Sequence, residues 1–292
     1  MTSPFIRRRR LGDKLRTLRE SHDMTIEDMA RVILQSKSKI CKIENGQLRI
    51  DLYQLLNWLD TLNVHGRERD EIVQLARQAA EKGWWDAFGN SMGPRQRLFA
   101  DLEWGAGTIR EYNPTCFPAL MQTPEFIQAL CELDQAEGPI SYVPERMMEA
   151  RLRRQEHLLS ADGPSYESIL DEVVIHRLAV PPAVMKAQLR HLVELVTGHA
   201  RISIRVLPYN TRIPGGLLPL SSFTLYTFPD KADPPIALVD TITTDLVHTE
   251  RREVARYTGH YDRLRKAALS PVQSLSFLSE AADRLDNETE RT

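Results

Sequence analysis

The sequence predicts an α+β fold in two parts: an all-α domain of five helices, followed by a mixed α/β domain with a small sheet and terminal helices. A chain of 292 residues has the length of about two domains. Residues 11–81 show one helical apolar pattern after another, without a strand-like run. Strand-like runs occur only later in the chain, where they alternate with helical patterns.

Five apolar patterns with helical spacing define the N-terminal domain, which we expect over residues 1–82. The first covers residues 11–21. The second begins at Thr25, which opens a Ser/Thr-x-x-Asp start signal. The third is capped by Ser36 and ends at Asn45-Gly46. The last two contain the apolar sets Leu52, Leu55, Leu56, Leu59 and Ile72, Leu75, Ala76, Ala79.

A junction is expected over residues 83–95, and the mixed domain over 96–292. Helical patterns cover Gln96–Tyr112, Pro124–Leu133, Pro144–Leu159, Pro182–Val196, Glu250–Leu269 and a last helix that begins at Ser270-Pro271. Strand-like runs cover Ile202–Leu207, Ser222–Phe228 and Ile236–Ile242, with Val173–Ile175 as a further candidate. One apolar stripe fits either a dimer contact or a cap over the domain's own sheet: Tyr257, Tyr261, Leu264, Leu275 and Leu278.

Charge is distributed unevenly along the chain. Residues 1–50 contain twelve Lys/Arg and six Asp/Glu residues, whereas residues 51–292 contain 26 Lys/Arg and 34 Asp/Glu residues. A basic end on an acidic body is typical of a protein that binds a polyanion at that end, although a solvated helix face has the same composition.

The segment Thr25–Asn45 has the pattern that a helix-turn-helix needs. Ala30 is a small residue where two helices cross, and Ile40 and Ile43 form a buried pair on the second helix. The other face of that helix is polar, and its lysines and serines are suited to contact base edges and phosphates: Lys37, Ser38, Cys41 and Lys42, with Lys39 at the flank.

This segment resembles the helix-turn-helix of Xre/Cro-type repressors over roughly residues 11–64, and Ile43-Glu44-Asn45-Gly46 is a specific marker of that family. It departs from the family at Leu34, where glycine is usual in the turn. A leucine in the left-handed backbone conformation costs about 1–2 kcal/mol, so we expect this turn to adopt a different conformation from that of the family. The rest resembles the large C-terminal domain of actinobacterial regulators of the WhiJ type, in stretches such as Trp84-Trp85 and Phe117–Thr123.

These resemblances imply a transcriptional regulator, often with a small partner protein encoded nearby. The low and odd cysteine count favours the cytoplasm. We expect the regulator to bind double-stranded DNA as a homodimer, because one short recognition helix contacts too few base pairs to specify a genomic site. The C-terminal domain would sense a ligand or dock that partner; an enzyme domain targeted by a DNA-binding module is the alternative. The expected DNA-binding residues are Gln35, Ser36, Lys37, Ser38, Lys39, Lys42 and Asn45, with Arg7, Arg8, Arg9 and Arg10 as a sequence-independent arm.

The sequence predicts no catalytic residue, no metal, no cofactor and no membrane span. Its eight histidines lie outside metal-binding motifs, and its three cysteines do not suggest a disulfide framework. One conceivable metal or acid–base cluster is His157, Asp171, Glu172 and His176. A strand-entry turn, or salt bridges to Arg151 or Arg154, is the favoured interpretation of the two carboxylates.

Overall fold

The computed structural model describes residues 2–219, 221–241 and 245–289. The chain divides into two compact units. The first comprises Met1–Ala87 with Pro229–Pro234, and the second comprises Phe88–Phe228 with Pro235–Thr292. The predicted fold class is confirmed, since a helical N-terminal region precedes a mixed α/β region with a six-stranded sheet and terminal helices.

Five helices build the first unit: α1 (Pro4–Ser21), α2 (Ile26–Val32), α3 (Lys37–Glu44), α4 (Leu52–Thr61) and α5 (Gly66–Ala80). Local chemistry explains where α2 and α3 begin. Thr25 and Asp28 form a reciprocal capping box, and the Ser36 hydroxyl accepts a hydrogen bond from the Lys39 N–H at 3.2 Å. The helices enclose an apolar cluster that includes Leu15, Met29, Ala30, Ile40, Ile43, Leu55, Trp58 and Ile72.

The turn between α2 and α3 keeps its left-handed residue, so the expected remodelling of this turn is wrong. Leu34 has φ +53° and is 86 % exposed. The next N–H, that of Gln35, donates to the Ala30 carbonyl at 2.9 Å and closes the end of α2. The turn therefore retains the standard geometry at the expense of backbone strain in Leu34.

We expect Leu34→Gly to stabilise the first unit by about 0.5–1 kcal/mol. Glycine adopts the left-handed conformation without strain, and this gain in stability exceeds the loss caused by the greater freedom of glycine in the unfolded chain. Few contacts are lost, because the leucine side chain is exposed. Hydrogen–deuterium exchange of the α2 and α3 amides measures the gain. Leu34→Ala is the control, because it retains the Cβ and should give no such gain. If the amides of the Leu34→Gly variant exchanged faster than those of the wild type, the claim that Leu34 is strained would be contradicted.

The second unit consists of seven helices around one sheet, among the residues that the structure describes. The helices are α6 (Pro94–Gly105), α7 (Pro124–Glu137), α8 (Pro144–Leu159), α9 (Glu172–His176), α10 (Pro182–Gly198), α11 (Arg251–Ala267) and α12 (Pro271–Thr289). The strands are β1 (Thr108–Asn113), β2 (Ser165–Asp171), β3 (Ile202–Leu207), β4 (Phe223–Thr227), β5 (Ile236–Val239) and β6 (Leu246–His248). Their order is β3-β2-β1-β4-β5-β6, with β1 to β3 parallel and the other pairings antiparallel.

The two faces of the sheet differ in chemistry. Tyr112 lies opposite Ile169 and Phe223, and this apolar face packs against α11. Tyr261 and Leu264 of α11 are almost fully buried there. The predicted apolar stripe of α11 thus caps its own sheet, and these two residues are not free for a dimer contact.

Several predicted helices and strands differ from those in the structure. The helix predicted over Gln96–Tyr112 ends at Gly105, and β1 follows it. Val173–Ile175 lies in helix α9, where the Asp171 carboxylate accepts the Val173 N–H. The strand expected over Ile236–Ile242 ends at Val239, and Ile242 lies outside the described residues. Strands β2 and β6 were not predicted. In the part of the chain described, no helix combines the length and the apolar character needed to cross a bilayer.

Candidate nucleic-acid interface and internal cavity

Helix α3 has one buried face and one exposed polar face. Ile40 and Ile43 are buried in the core of the first unit. Around them Lys39 is half-buried, and five residues are exposed: Ser36, Lys37, Ser38, Cys41 and Lys42. The predicted division of this helix is therefore observed, and its exposed face has the donors and positive charge that DNA requires.

The two exposed lysines of this face differ in their surroundings. The Lys37 ammonium forms an ion pair with Glu27 of α2. Lys42 has no carboxylate partner within the described ranges. Ser38 and Lys42 are four residues apart and so lie side by side on the helix surface. Lys42 is therefore the lysine whose charge is most available to a ligand.

Glu44 anchors the C-terminal end of α3. Its carboxylate accepts hydrogen bonds from Arg19 Nε at 2.6 Å and Nη2 at 2.9 Å, and both side chains are buried. The Arg16 Nε lies 3.6 Å from the same carboxylate. A Cβ on Gly12 of α1 would lie 2.5 Å from the Glu44 carbonyl oxygen, so glycine permits the close approach of α1 to α3. Sequence reasoning missed this role of Glu44, although the marker Ile43–Gly46 pointed to the position.

Two further predicted residues have intramolecular roles. Asn45 ends α3, and its amide oxygen accepts a hydrogen bond from Arg16 at 2.6 Å. Arg9 donates to the Asn45 carbonyl. Gln35 is half-buried in the turn. That Asn45 and Gln35 also contact DNA stays a prediction.

The arginine run forms part of helix α1 and is not an extended arm. Arg7 is buried, and it lies 2.9 Å from Asp230 and 3.3 Å from Asp233. Arg10 contacts the same two carboxylates at 2.8 and 3.2 Å. A hydrogen bond from the Ala232 N–H lowers the pKa of Asp230, and the two arginines lower it further. Arg8 donates to the Ala79 carbonyl. Contacts of these arginines with DNA stay a prediction.

The second unit contains a cavity of about 420 Å³ between the sheet and helices α6 to α8. Its floor is the face of the sheet opposite α11. On this face Glu111 lies across from Ser168 and Thr224, and Ile109 lies across from Tyr166 and Tyr226. A buried sheet face is normally apolar, and polar groups gathered there are typical of a binding site.

Charged groups line this cavity. Arg154 of α8 forms a bidentate pair with Glu103 of α6, with Nε–Oε2 and Nη2–Oε1 distances of 2.7 and 2.6 Å. Both side chains are almost fully buried. Glu111 accepts a hydrogen bond from the Tyr166 hydroxyl. The pKa of Glu111 is raised to about 7, mainly by burial and to a smaller extent by the charge of Asp240, although the hydrogen bond from Tyr166 lowers it.

We expect Glu111→Gln to change the pH dependence of folding. The unfolded carboxyl, with a pKa of 4.5, loses its proton before the folded one does. Glu111 therefore destabilises the fold increasingly as the pH rises from 4.5 to 7, and this effect is complete above pH 7. The variant should gain about 2 kcal/mol more over the wild type at pH 8 than at pH 5. Urea unfolding at both pH values measures this difference.

The exposed Glu137 provides the control, because Glu137→Gln makes the same chemical change at a solvated position. A Glu111→Gln variant with the pH profile of the wild type would contradict the raised pKa.

The conceivable metal cluster does not assemble. His176 lies 3.2 Å from Glu172, and Asp171 accepts the Tyr112 hydroxyl at 3.0 Å. His157 instead stacks on Trp104, with 4.7 Å between ring centroids. Within the described residues, no three potential metal ligands of the His, Cys, Asp or Glu types come together. Both favoured interpretations of the two carboxylates are wrong as well. Asp171 ends β2 and caps α9 instead of forming a strand-entry turn. Neither carboxylate pairs with Arg151 or Arg154, because Arg154 pairs with Glu103 and Arg151 with Gln122.

Comparison with known families matches both units. Residues 96–280, more than half of the chain, match the model described as "Domain of unknown function (DUF5753)". Residues 10–72 match the model described as "Helix-turn-helix domain". No match was found among curated proteins or solved structures. Neither family model specifies the WhiJ-type group, so that resemblance stays an expectation.

Proposed function

The chain belongs to the DUF5753 family and has an N-terminal helix-turn-helix domain, and on that premise we propose that it is a sequence-specific DNA-binding transcriptional regulator. The exposed polar face of α3, over the buried pair Ile40 and Ile43, supports this proposal most strongly. In this geometry Ser38 and Lys42 contact DNA in the major groove. Lys37, which pairs with Glu27, contributes less.

The proposal is tested by selecting duplexes from a random library with the full chain, and then measuring affinity for the best duplex. We expect Lys42→Ala to weaken binding by roughly 5- to 150-fold, the loss of one good base contact. Lys266→Ala is the matched control, because it removes the same charge from an exposed position on α11. Equal losses from the two variants would contradict a specific role for α3.

The regulator binds its operator as a homodimer. One helix of eight residues contacts too few base pairs to specify a genomic site. Two copies, on half-sites about one helical turn apart, give the required length. Sedimentation of the protein with the selected duplex should give two chains per site, and the selected sequence should be two-fold symmetric. One chain on an asymmetric site would contradict the homodimer.

The second unit senses a small molecule. The support for this role is the cavity, whose floor combines the polar side chains of Glu111, Asn113 and Thr224 on a buried sheet face. Buried polar groups without partners destabilise a fold, and a ligand that hydrogen-bonds to them offsets that cost. The operator affinity of the full chain would then depend on the occupancy of the cavity.

A further inference from the structure

One of the residues that line the cavity, Arg151, is a half-buried cation without an anionic partner among the described residues. Arg151 of α8 donates from Nη1 to the Gln122 amide oxygen at 2.7 Å, but its Nε is buried and has no hydrogen-bond partner. Among the described residues it forms no ion pair with a carboxylate. Burial lowers the pKa of this guanidinium, and repulsion from Arg154 lowers it further. An anionic group of a ligand would remove this penalty.

The lining also contains two carboxyls, Asp240 and Glu111, that have no hydrogen bond to a cation among the described residues. Asp240, directly after β5, has a buried Oδ1 without a hydrogen-bond partner. The nearest guanidinium, that of Arg95, is 3.9 Å from this oxygen and is bound to Asp245, with an Nε–Oδ2 distance of 3.0 Å. Burial raises the pKa of Asp240, and the charge of Asp245 raises it further. Glu111 and Asp240 line the same cavity, and the charge of Asp240 also acts on Glu111.

Other parts of the lining are neutral or apolar. The charge of Arg154, which also lines the cavity, is neutralised by Glu103. The walls include Phe99, Phe117 and Leu120. A cavity of about 420 Å³ has the volume of about fourteen liquid waters, which is room for roughly ten to twenty non-hydrogen atoms.

We propose that the cavity binds a zwitterion of dipeptide size, with its carboxylate on Arg151 and its ammonium group on Asp240 and Glu111. This inference rests on the sensing role proposed for the second unit, but not on DNA binding. The ligand satisfies the orphaned Nε of Arg151 and the orphaned Oδ1 of Asp240 at the same time. Its middle part contacts the aromatic walls.

The test uses the full chain and a pool of free dipeptides made from the twenty amino acids. After incubation and rapid gel filtration, mass spectrometry identifies the peptides that the protein retains. We expect a subset to be retained, and we expect retention to fall at least tenfold for the same pool with acetylated amines, and for the pool with amidated carboxyls. No retained dipeptide, or equal retention of either blocked pool, would overturn the proposal.

Two variants test the residues. Arg151→Met and Asp240→Asn should each reduce retention at least tenfold, whereas Arg151→Lys should preserve part of it. Arg151→Met should also leave the thermal midpoint of the free protein unchanged or raise it, because it removes an uncompensated buried cation. Full retention by a folded Arg151→Met protein would overturn the assignment. DNA affinity, measured without peptide, is a separate readout, so failure here leaves the DNA-binding proposal standing.

Discussion

Glu44→Ala should destabilise the first unit by about 3–5 kcal/mol, because it leaves the buried guanidinium of Arg19 without its carboxylate. Since Glu44 also fixes the end of α3 on α1, we expect DNA binding to be lost together with this stability. Hydrogen–deuterium exchange of the α1 to α5 amides measures the loss.

The chain contains a matched control on the same arginine. Arg19 lies 3.3 Å from Glu20, which is largely exposed, so Glu20→Ala should cost less than about 1 kcal/mol. Replacing both partners, as Arg19→Met with Glu44→Met, should recover most of the stability, because no buried charge is left unpaired. If Glu44→Ala and Glu20→Ala had equal effects, the anchoring role of Glu44 would be refuted.

Glu103→Ala should destabilise the second unit by a similar amount, about 3–5 kcal/mol, through the buried charge of Arg154. The exposed pair of Arg146 and Glu149 gives the comparison, because Glu149→Ala removes the same charge in a solvated setting. Amide exchange in β1, β2 and α8 reports the loss. Unchanged exchange in these elements would show that the pair of Arg154 and Glu103 contributes little to the fold.

The helices of the first unit could be predicted because their signals are local. Thr25 and Ser36 cap helices whose apolar residues recur with helical spacing, and the structure has both caps. Two features had no local signal. In the sequence, nothing distinguishes Glu44 from an ordinary surface charge, because only the fold brings Arg19 beside it. The partners of Arg7, Asp230 and Asp233, are more than 200 residues away in sequence, so the arginine run resembled a solvated arm.

The sheet of the second unit was harder to predict because its cavity face is polar. In β1 the residues Glu111 and Asn113 occupy positions that are apolar in an ordinary buried strand, so the run resembled a continuation of α6. Ser168 has the same effect in β2. By contrast, Ile202–Leu207 has the usual alternation and was placed correctly. Val173–Ile175 has β-branched residues, but the Asp171 cap and the packing around it produce a helix.

We propose that helix α3 reads base sequence through Lys42. The most direct measurement repeats the selection from the random library with Lys42→Ala and with Lys266→Ala, and compares the base preferences with those of the wild type. We expect Lys42→Ala to relax the preference at one position in each of two symmetric half-sites, while Lys266→Ala leaves every preference unchanged. If Lys42→Ala selected the same sequence as the wild type with the same discrimination at every position, the claim would be contradicted.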